Sequence, residues 1–376
     1  MIYFDNAATS KYKPDSVYDA FMYYVREVGT SPGRGSYLLG VQASRMLYQS
    51  RKTVNSFFGN TSKTNVVFTK NSTEAINLFL RGYLKQGDHV LISCFEHNAV
   101  LRPIHTLAEA GLITYTILPE KVFDDPETEL EQYITPNTKL AAITLASNLT
   151  GQIVYTAAFG NQCKRRNISV FVDASQGGGK GIVHMERDSI DYLAFTGHKD
   201  LYALPGVGGL CSREPLDFPP LIQGGTGIHG EFFTNPSIYP EAYESGTLNM
   251  PAIWSLKTSI EYLEQNLDSI SVREQALTQR ILDGLTSLND VEVYNPARKR
   301  VSTVCFNVKG YASSDVVSYL DKNGICVRGG IHCAILAHQT IGTVEKGAVR
   351  VSLNYLNTEQ DIDTFVNAIR EINKCI

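Results

Sequence analysis

The chain has 376 residues, 43% hydrophobic and 19% charged, with a formal net charge of −4. At about 150 residues per domain, that length predicts two or three domains and a large buried core. The evenly spread charge gives no electrostatic reason to bind nucleic acid or an anionic membrane, and no apolar run approaches the roughly 18 residues a spanning helix needs.

The N-terminus, Met1 to Ser10, lacks both a basic region and a long apolar run, so no secretory signal is expected. The seven cysteines, an odd number with no CxxC pair, fit free thiols in a reducing cytoplasm. Most are expected to be small buried hydrophobes, with one or two reactive.

Taken in chain order, residues 65–69 read as a strand and 72–84 as a helix with Ile76, Phe79 and Leu80 on one face. Residues 89–93, 140–145, 168–172 and 192–195 are short apolar strands, with helical patterns between several of them. Such alternation predicts an α/β fold, a mostly parallel sheet with helices on both faces. Further on, 251–267 and 272–288 read as two long helices, 301–308 and 348–354 as strands, and helices start at Ser313 and Thr358. The expected division is a large α/β domain over 14–255 and a smaller α+β domain from 256–376 with the N-terminal 1–13.

Ligands of an open parallel sheet bind beyond the carboxyl ends of its strands. There each apolar strand gives way to polar chemistry. Thr69-Lys70-Asn71-Ser72-Thr73-Glu74 ends a strand and opens a helix, whose free N–H groups suit a phosphate; Asn71 with Glu74 is equally a capping box. Phe95-Glu96-His97-Asn98 offers a histidine that can stack on a flat ring and move protons, or an ordinary loop residue. Ala146-Ser147-Asn148 alone is a turn signal. Asp173 ends a buried strand, where a carboxylate is costly unless it pairs with a cation such as a protonated pyridine nitrogen; a helix cap is the plainer reading.

Thr196-Gly197-His198-Lys199 follows the next strand and precedes the tight segment 205–209. Lysines usually sit on solvated surfaces, whereas a partly desolvated one has a lowered pKa and forms Schiff bases readily. Last, Arg328-Gly329-Gly330-Ile331-His332-Cys333-Ala334 sets a thiol beside a histidine and near an arginine, a thiolate-prone setting unless the cysteine is merely buried. Arg350 alternates within an apparent strand and suits a carboxylate, or a structural salt bridge. Each feature alone is weak; their shared place at strand ends makes coincidence improbable.

These segments resemble the fold-type I pyridoxal-phosphate enzymes of the class V aminotransferase superfamily, and within it the cysteine desulfurase and selenocysteine lyase family. The resemblance runs from Tyr3-Phe4-Asp5-Asn6-Ala7-Ala8-Thr9 to the last helix. It implies a seven-stranded, mostly parallel sheet in a large domain, with a smaller C-terminal domain. It also implies that Lys199 carries pyridoxal 5'-phosphate covalently, that Asp173 pairs with the pyridine nitrogen, and that Gln176 contacts the phenolic oxygen. His97 would stack on the ring, and Ser72, Thr73, Thr196 and His198 would hold the phosphate. Thr247 matches a threonine that reaches the phosphate of the other subunit of a homodimer. Asn148, Asn6 and Ala7 fall on the substrate side. Arg350 matches the clamp on the substrate carboxylate, Cys333 matches the sulfur-accepting cysteine, and Arg328 lies near that cysteine on the substrate side. No metal is called for. Gly33 stands where a histidine is frequent.

The implied reaction removes sulfur from L-cysteine, leaving alanine and a persulfide on Cys333 that a protein acceptor or small thiol collects. A selenocysteine lyase, another β-lyase or aminotransferase of the superfamily, and an inactive scaffold that keeps the fold are the competing expectations.

Overall fold

The structure is a computed structural model that describes residues 1–33, 37–62, 65–228 and 230–375, with side chains through Ile372 at the C-terminal end. Arg34, Gly35 and Ser36 of the N-terminal turn lie outside the described residues.

The expected sheet is present and has seven strands. Their order is Val66–Thr69, Gly208–Ser212, Tyr192–Thr196, Ser169–Asp173, Thr138–Thr144, His89–Ser93 and Thr114–Leu118. Every neighbouring pair is parallel except those made by Gly208–Ser212, which runs against both flanking strands. Alternate residues of each strand enter opposite cores. Leu91, Ala141, Ile143, Val172 and Phe195 join one, with helices Leu38–Phe57, Ala157–Arg165 and Met250–Thr286. Val90, Ile92, Ala142, Phe171 and Ala194 join the other, with helices Ser72–Tyr83 and Asn98–Glu109. Burial on both faces is why the central strands read as unbroken apolar runs.

Two strands of this sheet escape the sequence reading. Thr114–Leu118 is an edge strand with only Leu118 fully buried, so its apolar signal is thin. Gly208–Ser212 begins inside the glycine-rich segment. A Cβ on Gly208 would sit 2.7 Å from both the Asn71 backbone and the Phe195 carbonyl oxygen, so the missing side chain lets this strand slot between its neighbours.

The two long helices expected over 251–267 and 272–288 are one helix, Met250–Thr286. The polar stretch from Asn266 to Ser271 contains neither glycine nor proline to stop it. Leu256, Ile260, Leu263, Ile270, Leu277 and Ile281 form one continuous buried stripe at helical spacing. This helix crosses the boundary expected near residue 255.

Beyond it lies a four-stranded antiparallel sheet, ordered Arg328–Gly330, Ala348–Ser352, Thr303–Val308 and Val291–Val293. Helices Ser313–Lys322 and Glu359–Cys375 accompany it, and Phe4, Val304, Phe306, Val351, Ile362 and Phe365 share its core. The N-terminus is tied to this part: Ile2–Tyr3 pairs in parallel with Ile325–Cys326, and Asp5 bridges to Ser352. Among the described residues no helix is long and apolar enough to cross a membrane.

Candidate active site

The strand ends bring the singled-out residues to one edge of the large sheet. Tyr192–Thr196 delivers Thr196 at its last position, and Gly197 and His198 carry the chain to Lys199. Lys199 is only partly exposed. Burial of its amine holds its pKa below the usual lysine value; Arg350 and Arg328 push it the same way, while Asp173 and Asp200 act against them. The same residues report proximity: Lys199 lies within electrostatic reach of the acid at the end of the neighbouring strand and of both arginines from the smaller sheet.

Asp173 is 2% exposed. Its Oδ1 accepts from the backbone N–H of Ser175 at 3.0 Å and from Ser175 Oγ at 2.5 Å, an Asx turn rather than a helix cap. Gln176 is buried and donates to the Ala7 carbonyl at 2.8 Å, so the N-terminal segment reaches this edge. The carbonyl of His198 accepts from the Ser10 amide at 2.9 Å and from Ser10 Oγ at 3.0 Å, a second tie to that segment.

His97 caps the helix Asn98–Glu109, its Nδ1 accepting from the Ala99 amide at 3.0 Å. Burial, with Lys199, Arg102 and Arg350 nearby, lowers its pKa to about 4 against the pull of Asp173. His198 is lowered to about 4 by burial together with Lys199 and Lys13. Both rings are therefore neutral near pH 7.

At the phosphate turn, Asn71 Oδ1 caps the helix Ser72–Tyr83 by accepting from the Glu74 amide at 3.0 Å, and Glu74 Oε2 accepts from the Lys70 amide at 2.8 Å. The cap leaves the first N–H groups of the helix without intrahelical partners. Ser72 is buried and Thr73 exposed. The Oγ1 of Thr196 is buried and has no hydrogen-bond partner, an unusual state for a hydroxyl. Thr247 is exposed on the segment just ahead of the helix Met250–Thr286.

The smaller sheet supplies the other side. Arg350, 2% exposed, donates from one terminal nitrogen to Asp5 Oδ1 at 2.6 Å and from the other to the Asn148 carbonyl at 2.9 Å, while its Nε finds no partner. Burial lowers its pKa and Asp5 opposes that. Arg328 is exposed, and its carbonyl faces His332 Nε2 at 3.2 Å. Asn6 donates to the Ser352 carbonyl at 3.0 Å and the Ala7 amide to Ser352 Oγ at 2.8 Å.

Cys333 is exposed, Cys326 is half-buried, and Cys94, Cys163, Cys211 and Cys305 are buried; all six are free thiols. His332 and Cys333 both adopt φ of +55°, a conformation costing about 1–3 kcal/mol for each non-glycine residue. Two hydrogen bonds hold this kink. Asn148 Nδ2 donates to the His332 carbonyl at 2.7 Å, and the Asn98 amide, next to His97, donates to the Cys333 carbonyl at 2.8 Å. The thiol-bearing turn is thus pinned to the strand-end loops of the large sheet.

Three residues of this region were not singled out by the sequence reading. Asp5 partners Arg350, Asp200 accepts from the Gly177 amide at 2.6 Å, and Glu96 is fully buried. Glu96 Oε1 accepts from Ser93 Oγ at 2.5 Å and from the Thr144 amide at 2.8 Å, tying together the strand ends that precede His97 and Asn148. Desolvation raises its pKa to about 8. The only local signal was an acid next to an apolar or aromatic pair, as in Tyr3-Phe4-Asp5.

An α/β fold with a partly desolvated lysine among these strand-end groups defines a class of proteins. The chain belongs to the aminotransferase class-V family, whose description matches residues 2–365 and whose members depend on pyridoxal phosphate. It is 31% identical to a probable cysteine desulfurase of Borreliella burgdorferi over all of this chain and 92% of that protein. A probable cysteine desulfurase of Pyrococcus abyssi is 33% identical over 100% of this chain and 95% of that one. The apo structure of the cysteine desulfurase from Thermococcus onnurineus NA1 superposes with a TM-score of 0.90 at 32% identity, covering 100% of this chain and 95% of that chain.

The donor set suits pyridoxal phosphate. A planar pyridine with a phosphate arm calls for an amine, an acid beside the ring nitrogen, and hydroxyl and amide donors for the phosphate. Lys199, Asp173, the Thr196 hydroxyl without a partner and the first N–H groups of the helix that begins at Ser72 offer groups of these kinds.

Proposed function

We propose that this protein is a pyridoxal-phosphate-dependent cysteine desulfurase that transfers the sulfur of L-cysteine to Cys333. The observation that carries this reading is the exposed Cys333, whose carbonyl is held by the amide next to His97 while Lys199 feels both Arg350 and Asp173. Likeness to proteins called cysteine desulfurases supports it from outside the chain.

When bound, the cofactor supplies an electron sink at the substrate α-carbon, as its protonated ring does generally. The residues of the chain do the rest. Lys199 would hold it, and its free amine would take the substrate α-proton; its lowered pKa leaves a larger fraction of the free amine for that work. Asp173 keeps the ring nitrogen protonated. Ser72, Thr73, Thr196 and His198 hold the phosphate, and Gln176 and neutral His97 bear on the ring. The Arg350 guanidinium binds the substrate carboxylate with its unpaired Nε and shares its Asp5 and Asn148 contacts. Cys333 Sγ, as the thiolate, attacks the substrate sulfur: an S–S bond forms, the C–S bond breaks with its electron pair left on the β-carbon, and that carbon takes a proton so that alanine leaves. An acceptor protein or small thiol then removes the outer sulfur.

In this reading residues 14–255 bind the cofactor, while 1–13 and 256–376 carry the carboxylate and sulfur chemistry across the joining helix. A homodimer is part of the proposal. Tyr23, Leu38, Leu39, Val41, Tyr48 and Phe233 are exposed apolar side chains in the N-terminal helices and the loop before Thr247, where a second copy could cover them.

The test is a sulfide and alanine assay with L-cysteine and L-selenocysteine on wild type and Cys333→Ala. Loss of cysteine turnover by about a hundredfold or more, with the yellow cofactor band intact, supports the assignment. Full cysteine turnover by Cys333→Ala overturns it. Retained selenocysteine turnover alone, with little wild-type activity on cysteine, makes the protein a selenocysteine lyase instead. A protein that stays colourless with added pyridoxal phosphate is a scaffold.

A further inference from the structure

Glu274, 2% exposed on the helix Met250–Thr286, joins three segments through one carboxylate. Its Oε2 pairs with Lys180 Nζ at 2.5 Å and accepts from Ser302 Oγ at 2.5 Å, and its Oε1 accepts from Tyr202 Oη at 3.0 Å. Lys180 Nζ also lies 3.4 Å from Asp200 Oδ1.

Each partner leads to a functional segment. Tyr202 closes the turn begun by Lys199, its amide donating to the Lys199 carbonyl at 2.9 Å. Asp200 follows Lys199 directly and accepts from the amide of Gly177, next to Gln176. Lys180 lies in the stretch that follows the Asp173–Gln176 turn, its amide donating to the Gly177 carbonyl at 3.0 Å. The two turns touch at backbone level: a Cβ on Gly179 would lie 1.9 Å from the Asp200 carbonyl oxygen. Ser302 immediately precedes Thr303–Val308, which pairs with the strand carrying Arg350.

Stability alone is a poor explanation for such a group. Burying a lysine and a carboxylate costs desolvation energy that their attraction offsets only in part, and apolar side chains of similar volume commonly do as well. What apolar packing lacks is direction. One carboxylate with three donors specifies where each donor's segment must stand.

We infer that Glu274 is a positioning residue for Lys199. Through Tyr202, Lys180 and Asp200 it fixes the turn that carries the amine against the turn that carries Asp173 and Gln176. Through Ser302 it registers both against the small sheet that bears Arg350. The inference rests on Lys199 being the cofactor lysine, so its test includes a readout that needs no cofactor.

Four variants divide the contacts: Tyr202→Phe and Ser302→Ala each remove one hydroxyl, Glu274→Gln removes the charge, and Lys180→Met/Glu274→Met replaces the pair with apolar volume. In cofactor-free protein, amide hydrogen exchange over residues 199–203 is expected to quicken by about tenfold in Glu274→Gln and in the double variant, because the turn loses its anchors. With pyridoxal phosphate added, kcat is expected to fall by roughly tenfold to a hundredfold in both; KM for the amino acid stays within about twofold in Glu274→Gln, which keeps an oxygen for Ser302, and rises in the double variant, which does not. Tyr202→Phe lowers kcat less, and Ser302→Ala leaves exchange over 199–203 nearly unchanged while raising KM, because it frees only the Arg350 side. A double variant that melts like wild type and keeps exchange, kcat and KM within about twofold overturns the inference, reducing Glu274 to packing. Should Glu274→Gln not fold, Tyr202→Phe and the double variant decide the matter. A wild type that never turns yellow defeats the cofactor reading, while the exchange data still judge Glu274.

Discussion

Thr196 and Arg350 are both buried polar residues, one on the strand that leads to Lys199 and the other in the small sheet, yet one has no partner for its hydroxyl and the other is already bonded to a carboxylate and a carbonyl. The same contrast runs through the large-sheet and small-sheet sides of the site. On the large sheet, donors stand ready and empty-handed: the Thr196 hydroxyl, the first amides at Ser72 and the partly desolvated Lys199. On the small sheet, the terminal nitrogens of Arg350 and the backbone carbonyls of the thiol-bearing turn are held by other segments, while Arg350 Nε has no partner. Arg350 is held by Asp5, His332 by Asn148, and Cys333 by Asn98. The first arrangement fits a ligand that stays. The second fits one that comes and goes, since groups with protein partners can return to them when substrate leaves.

The sharpest attack on this contrast is Lys199→Ala. Activity should drop by roughly 10³-fold or more, since the variant loses both the nucleophile and the base, and borohydride should no longer fix the cofactor to the chain. Residual fixation would mean another lysine does this work.

Next in size is a pH effect set by Glu96, which lies beneath the large-sheet side. Its folded pKa of about 8 lies above the ordinary 4.5, so the folded state holds a proton that the unfolded state has lost between those values. The stability it contributes is present in full below about pH 4.5 and is lost as pH rises towards about 8, on the order of a few kcal/mol in total. Glu96→Gln keeps an acceptor for Ser93 and Thr144 without an ionisable proton. Denaturant melts across that range should therefore show the wild type weakening towards alkaline pH relative to the variant. Parallel curves would remove Glu96 as a neutral buried acid.

On the small-sheet side, Asp5→Asn strips Arg350 of its charged partner. With Asp5 about one fifth exposed, the expected loss of stability is modest, about 1–3 kcal/mol. Kinetically, KM for the amino acid should rise several-fold, about 3–10, with kcat little changed, as for an interaction used equally in ground and transition states. A fall in KM would instead mark Asp5 as a competitor for the guanidinium.

The smallest effect tests the orphan directly. Thr196→Val should leave the cofactor-free protein as stable as wild type or slightly more so, because the hydroxyl has no partner to lose. Binding of pyridoxal phosphate should weaken by about five- to tenfold, the worth of one hydrogen bond. Equal affinity would mean the hydroxyl does not face the phosphate.

The large-sheet side was the more legible in sequence. Lys199, Asp173, Thr196 and Ser72 each follow a short buried strand, and strand period and helix-start signals are local properties that a few residues carry. Local signals failed where they were dilute or misleading. The exposed edge hid Thr114–Leu118, glycines hid Gly208–Ser212, and a run of polar residues made one long helix read as two.

The small-sheet side and the buried carboxylates were not legible in this way. Asp5 and Arg350, or Asn148 and His332, are separated by most of the large domain or more in sequence, and no residue type announces its partner across such a gap. Sequence determined by itself which residues could do the chemistry and that the chain would fold as an α/β sheet, because strand period, turn chemistry and side-chain reactivity are written in neighbouring residues. Only the tertiary structure decided which groups are already paired, which are left waiting, and that Glu274 stands between them. Those facts depend on burial and on contacts made when distant segments meet, and both exist only in the folded chain.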